Sequence, residues 1–321
     1  MITCKSPRKV ICAAHELASL YLPNYSDKFS RRDFTLPQLF ACLVIREHQK
    51  KSYRGVEALL RDSPQWLRSI GVSRAPDHVT LWRAFKHLIK PGLVNSMLDQ
   101  QVRWAKQRKL LGGKIKPAAL DSSMFESRHV SRHFEKRQRQ SERDARKNPR
   151  KTSEKAAANR RRSKVVRALP KLSLAVDSAC HLVLAVRATT GSGADQPFFE
   201  PLLLDAWRRA NVKIAVADAG YDSEPNHRIA RQDMGIRSII PPNNGRPSPN
   251  PPTARHRRNM YHRFKRKADS KIYGQRWQAE TVNSMIKRNL GSALRATNAR
   301  RRSKELLLRV ITHNIMVLLG K

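Results

Sequence analysis

The chain has 321 residues, a length that suits two domains, and its 40% hydrophobic content is enough for a core, which excludes a disordered basic tail. Lys and Arg number 65 against 25 Asp and Glu, a formal net charge of +40. Such self-repulsion opposes a compact state and points to a polyanionic partner, nucleic acid before an anionic membrane, since no basic amphipathic helix with a large aromatic face stands out. Four cysteines, at positions 4, 12, 42 and 180, show no CxxC spacing, so a zinc site and a disulfide framework are not expected and a reducing cytoplasm fits. No signal-like apolar region opens the chain and no apolar run approaches the 18 residues of a membrane span.

Residues 1 to 112 read as helical. In "FTLPQLFACLVIREHQKK", Thr35 stands as an N-cap before an apolar stripe of Leu36, Phe40, Leu43 and Val44. "YRGVEALLRDS" is a short helix closed before Pro64, and "QWLRSIGV" follows with Gly71 as C-cap. A further helix runs from about Asp77 to Ile89, stopped by Pro91-Gly92. A short helix, a Gly71 turn and a helix carrying Thr80, Arg83 and Lys86 resemble a helix-turn-helix. This region is read either as a sequence-specific DNA-contacting element, with Arg83 and Lys86 as DNA-binding residues, or as a packing or dimerisation module. A longer helix from about 93 to 110 leads to the Gly112-Gly113 break.

From residue 113 onward the pattern changes to strands. "KIKPAALDSS" is a short apolar approach ending in Asp121, and "KLSLAVDSACHLVLAVRATTG" is a hairpin turning near Asp177 to Ala179. Between them, residues 128–167 hold 16 Lys or Arg and 4 Asp or Glu, a net of +12. "DQPFFEPLLLDAWRRA" has helical spacing at Phe198, Leu202, Leu203 and Trp207. "VKIAVADAGYDSE" is a buried-type strand ending at Asp218 before a Gly turn. "PNHRIARQDMG" is a helix, "IRSIIPP" a strand, and a Pro-rich loop then leads to the helix of "YGQRWQAETVNSMIK", residues 273–287. "SKELLLRVITHNIMVLLG" is a final apolar helix. This order is that of a ribonuclease H-like α/β core, a mixed sheet flanked by helices, behind an all-α N-terminal domain.

Three acids fall at the ends of elements: Asp121 after the first strand, Asp218 after the fourth, and Glu280 on the helix after the fifth. Active sites of open α/β sheets gather at the carboxyl ends of strands. Hard divalent cations such as Mg²⁺ take oxygen ligands, and a pair of them can activate an attacking oxygen and stabilise a leaving one at phosphorus. Each Asp taken singly reads as a turn or capping acid, as Asp177, Asp195 and Asp222 do; three placed this way point to a metal site. On the 273–287 helix, Tyr273, Arg276, Glu280 and Lys287 fall at about 0°, 300°, 340° and 320° around the axis, one stripe roughly 60° wide. The plain reading of this stripe is a solvated face with an i,i+4 pair of Arg276 and Glu280.

Tyr273, Arg276, Glu280 and Lys287 also match Y-x2-R-x3-E-x6-K without a gap, and "ALDSS", "ADAGYDSE" and "THNIMVLL" accompany them. In these segments the chain resembles the DDE transposases of bacterial and archaeal insertion sequences, well over about 115–321 and more loosely over 35–110. Ala219 stands where that family often has Lys. The resemblance implies a catalytic, metal-binding triad of Asp121, Asp218 and Glu280 holding two Mg²⁺ ions, for which Mn²⁺ can substitute. It implies Arg276 and Lys287 on strand phosphates and Tyr273 at the DNA end. It further implies double-stranded DNA as partner, both element ends and target, a homodimer or larger assembly on DNA, and no membrane. Two other readings stay open: a nuclease with the same core that never joins strands, and a non-catalytic DNA-binding regulator.

Overall fold

The computed structural model describes residues 3–112, 117–127, 140, 169–191, 193–243 and 250–320. The basic segment 128–167, apart from Gln140, lies outside the described residues. Six helices come first: α1 (Pro7–Ser19), α2 (Leu36–His48), α3 (Tyr53–Asp62), α4 (Pro64–Arg68), α5 (His78–Leu88) and α6 (Pro91–Gln107). Thr35 caps α2 in a full capping box, its hydroxyl accepting from Gln38 N while the Gln38 side chain accepts from Thr35 N. The stripe expected on α2 is too narrow: Leu39 through His48 are all buried, because α1, α5 and the last helix surround it.

The N-terminal elements match a short helix, a Gly turn and a second helix, but the connection is longer than a helix-turn-helix turn of three or four residues. It spans 69–77, with Gly71 at φ +71°. Its exit is fixed by Glu57 of α3, whose carboxylate accepts from His78 N at 2.9 Å and sits 2.8 Å from His78 Nδ1. Arg83 and Lys86 are exposed on α5, whereas the Thr80 hydroxyl is spent on the capping Asp77.

Five strands form one sheet: β1 (Ala118–Met124), β2 (Pro170–Asp177), β3 (Val183–Thr190), β4 (Ile214–Ala217) and β5 (Arg237–Ile239). Their order is β3-β2-β1-β4-β5, with β1–β2 and β2–β3 antiparallel and β1–β4 and β4–β5 parallel. This is a mixed sheet flanked by helices, as the α/β reading expects. Its remaining helices are α7 (Phe199–Arg209), α8 (Glu224–Arg228), α9 (Arg255–Lys265), α10 (Ser270–Tyr273), α11 (Trp277–Leu290) and α12 (Ala299–Leu318).

The period-2 alternation of strands sorts the core onto two faces. Ala119, Val176 and Val216 point to the face covered by α11, α12 and the N-terminal helices; Ala118, Leu120, Ala215 and Ala217 point to the face covered by α7. On α7 the buried residues are Phe199, Leu202, Leu203 and Ala206, so the expected stripe of Phe198 and Trp207 is turned by one residue, and Trp207 lies exposed. α12 is buried from Glu305 to Leu318, charged residues included. All four cysteines are free, and no helix among the described residues is long and apolar enough to cross a membrane.

Candidate active site

Asp121 is not at the end of β1 but is its fourth residue. The strand continues past it because β2 pairs antiparallel along its full length. The parallel pairing with β4 does stop there. Its last pair is Leu120 with Ala217, so Asp121 and Asp218 each lie one step beyond it on neighbouring strands. Paired residues of parallel strands share a face, and Asp218 keeps extended backbone (φ −70°, ψ 160°). That face is the one α11 covers.

The helix expected over 273–287 is interrupted. α10 ends at Tyr273, Gly274–Arg276 form a 3₁₀ turn, and α11 begins at Trp277. In a 3₁₀ turn residues i and i+3 eclipse, so Tyr273 and Arg276 still lie one above the other. α11 buries Ala279, Val282, Asn283, Ile286 and Leu290 against the sheet and α12. The positions flanking that face, Glu280, Ser284, Lys287 and Arg288, join Asp121, Ser123 and Asn283 around a cavity of about 250 Å³. Two acids far apart in the chain and the signature Lys therefore meet in one pocket.

Burial pushes the Asp121 carboxyl up to about 6; Glu280 adds to the rise, while the Ser122 backbone amide, Asn283 and Arg276 oppose it. Asn283 Nδ2 donates to Asp121 Oδ2 at 3.1 Å, and Asn283 Oδ1 is buried with no partner. Nothing in the sequence singles out Asn283, because an Asn on a helix usually reads as solvated; its place at i+3 from Glu280 on the sheet-facing side is the only signal. Arg276 donates to Glu280 at 2.6 Å, the ion pair that the i,i+4 spacing predicts. Burial alone would lower the Arg276 pKa, but Glu280, Tyr273 and Asp218 together hold it raised. Tyr273 is raised by burial and by Asp218 against the pull of Arg276, and its ring meets Phe264 edge-on at 5.0 Å. Lys287 sits over the Phe125 ring at 5.1 Å, its pKa lowered by burial and propped up by Glu126 and Asp121.

Asp218 is exposed, its Oδ1 accepts from Ala219 N at 2.7 Å, and it does not line the pocket. Its charge nevertheless reaches Tyr273 and Arg276. Among the described residues no group of three or more His, Cys, Asp and Glu is arranged to hold a metal ion. Asp218 stands outside the pocket, and the Arg276 guanidinium neutralises Glu280, a role a cation would otherwise fill. The donor set still suits a hard cation, with the carboxylates of Asp121 and Glu280 and the unpartnered Asn283 Oδ1 at one cavity.

The other acids read as turn residues divide. Asp177 is one, accepting from Ala179 N and Cys180 N. Asp222 is not: fully buried, it takes Arg257 Nε at 2.8 Å and Asn243 N at 2.7 Å, and faces His227. Asp195 pairs with the buried Lys171 at 2.6 Å. Both carboxylates are ion-paired and lie outside the pocket.

A sequence model described as the transposase DDE domain matches residues 113–315, more than half of the chain. No curated protein and no solved structure matches it. The matched stretch contains every strand of the sheet, both acids of the pocket and the signature Lys, and the chain belongs to the transposase DDE domain family.

Proposed function

We propose that this protein is the transposase of a mobile insertion sequence, which binds the terminal inverted repeats of its element, cuts there and joins the freed end to target DNA. Transposase activity of the family implies DNA as partner and divalent metal as cofactor at a coarse level. The observation that carries the finer reading is the pocket shared by Asp121 and Glu280 and rimmed by Lys287 and Arg288, within the matched domain. In the first step water attacks a phosphodiester, the P–O3′ bond breaks, and a 3′-hydroxyl and a 5′-phosphate result. In the second that hydroxyl attacks a target phosphodiester, the new P–O3′ bond forms, and the target strand's own 3′-oxygen leaves as a hydroxyl. Both steps are displacements at phosphorus, so one site serves both.

Asp121, Glu280 and Asp218 would hold the divalent metal, Mg²⁺ or Mn²⁺ and by the family resemblance two ions, and bound there it activates the attacking oxygen and stabilises the leaving one. Release of Glu280 from Arg276 accompanies this, and the freed guanidinium turns to a strand phosphate, for which its planar fork is suited. Lys287 supplies a point charge on the other side of the pocket. Tyr273 packs at the DNA end, Arg83 and Lys86 contact the duplex from the N-terminal helices, and two copies hold two ends together.

The Arg276–Glu280 pair, which occupies a proposed ligand, and the place of Asp218 outside the pocket favour a non-catalytic DNA-binding regulator. Incubation of a DNA carrying the element's end with Mg²⁺ separates the readings. A transposase yields cut ends and strand-transfer products; a nuclease with this core yields cut ends alone, and a regulator neither.

A further inference from the structure

The strongly basic helix α9, "RHRRNMYHRFK", carries five Arg or Lys and no acid. Its side chains divide by angle. At 100° per residue, Arg263, Met260, Phe264 and Arg257 fall between about 80° and 200°, and Arg255, Arg258, His262, Lys265 and the following Arg266 between about 280° and 20°. The first set is anchored. Arg257 pairs with Asp222, Arg263 with Asp269 at 2.6 Å, Met260 is fully buried, and Phe264 meets Tyr273. The second set is exposed, and its four Arg and Lys have no ion pair among the described residues.

This arrangement is unfavourable in the isolated protein. Like charges at i,i+3 and i,i+4 oppose a helix by a few tenths of a kcal/mol per pair, and Arg255 and Arg258 stand at the end where the helix dipole disfavours cations. No side chain of α9's own N-cap, Ala254, relieves this. Glu224 does so from outside, accepting from His256 N and Arg257 N, both at 3.0 Å. Glu224 and Asp222 both belong to the segment that follows Asp218, and the far end of α9 rests on Tyr273. The helix is thus strapped between two parts of the candidate site, with its self-repelling face outward.

We infer that the Arg255–Arg258–Lys265–Arg266 face of α9 is a docking surface for the sugar–phosphate backbone of the DNA that enters the pocket. Charge complementarity fixes the occupant as a polyanion, and the contact of α9 with Tyr273 of the signature motif, on the transposase reading above, fixes it as the DNA being cut. The face extends about 16 Å along the helix axis, enough to follow four or five nucleotides at 3.4 Å each. Contacts of this kind position the duplex and carry no sequence information.

The test uses the full chain and a blunt duplex oligonucleotide of arbitrary sequence, with affinity measured across a salt series. Two variants are compared with the unmodified protein. One carries Arg255→Gln, Arg258→Gln, Lys265→Gln and Arg266→Gln, leaving the anchoring Arg257 and Arg263 untouched. The other loses the same charge at exposed cations of α6, α7 and the approaches to them, Arg103→Gln, Lys109→Gln, Arg208→Gln and Lys213→Gln. Each neutralised phosphate contributes about 0.9 to the log–log slope, so the α9 variant should lose about 3 to 4 from it and the control less than 1. Thermal melting of the α9 variant should be unchanged or raised, since like-charge pairs are removed. An α9 variant with the unmodified slope, or two variants with equal losses, would overturn the inference while leaving the catalytic reading in place. Steep binding lost in the α9 variant, from a protein that never cuts DNA, would support the surface and defeat the transposase reading. An unmodified protein with a flat salt response would overturn both.

Discussion

At the residue scale the chemistry turns on Asp121. Its folded pKa of about 6 lies above the ordinary carboxylate value of 3.8, so the folded protein holds this proton longer than the unfolded chain. The group's effect on stability is neutral below about pH 4 and becomes unfavourable as pH climbs from about 4 to about 6. Asp121→Asn should therefore raise the melting temperature at pH 7.5 and leave it nearly unchanged at pH 4, with Mg²⁺ absent. Adding Mg²⁺ at pH 7.5 should raise the melting temperature of the unmodified protein and not of Asp121→Asn, because binding to the folded state alone stabilises it. Asn283→Ala removes a donor that holds the carboxyl down, so the Asp121 titration, followed by carboxyl-carbon NMR, should move above about 6. How much of the site is legible in sequence follows the same residues. Asp121 and Glu280 reach one pocket with Lys287, whereas Asp218, which stands at a strand end in the sequence as Asp121 does, does not line it. Asn283 is silent in sequence because its role depends on a strand more than a hundred residues away. Asp195 and Asp222 mislead, since a turn acid and a buried ion-paired acid look alike until the cation partner is located.

At the scale of elements, α11 is held in place from behind by α12. Arg309, fully buried, pairs with Glu47 of α2 and Glu305 of its own helix and donates to the backbone oxygens of Gly291 and Ala293, where α11 ends. Gly291 takes φ +105°, a conformation other residues rarely adopt, and so turns the chain sharply after Leu290. Arg309→Met leaves two buried carboxylates without this partner and should cost about 3–5 kcal/mol, read as a lower midpoint in urea unfolding. The helices α3 and α5 are legible because burial and apolar period agree, and α2 and α12 because their apolar runs are long, although burial there extends all round. α9 is not, because its anchoring face is two ion-paired Arg with only Met260 and Phe264 between them, too few apolar residues to set a period. The break at Gly274–Arg276 is likewise hidden, since "YGQRWQAE" satisfies a helical pattern whether its first turn is 3₁₀ or α. Charged residues buried inside α12 are masked by the apolar residues around them.

For the whole molecule, a net charge of +40 on a chain with a large buried core is a physical statement about its partner. DNA affinity should fall with a log–log slope of several units as salt rises, and glutamate variants in the pocket should not change that slope, because the basic surface supplies the binding. The mixed sheet, its strand order and the family match leave the chemistry resting on whether the pocket is a metal site or an ordinary ion-paired surface. Arg276→Ala should reduce cleavage less completely than loss of a ligand does, since lost positioning is partly tolerated. The most direct test is Mg²⁺-dependent cleavage of terminal-repeat DNA by the unmodified protein and Glu280→Gln, with a gel shift on the same samples. Cleavage by the unmodified protein and none by Glu280→Gln, at end binding equal within a few-fold, is the predicted result. Cleavage by Glu280→Gln at close to the unmodified rate would contradict it and return Glu280 to the role its ion pair with Arg276 already gives it.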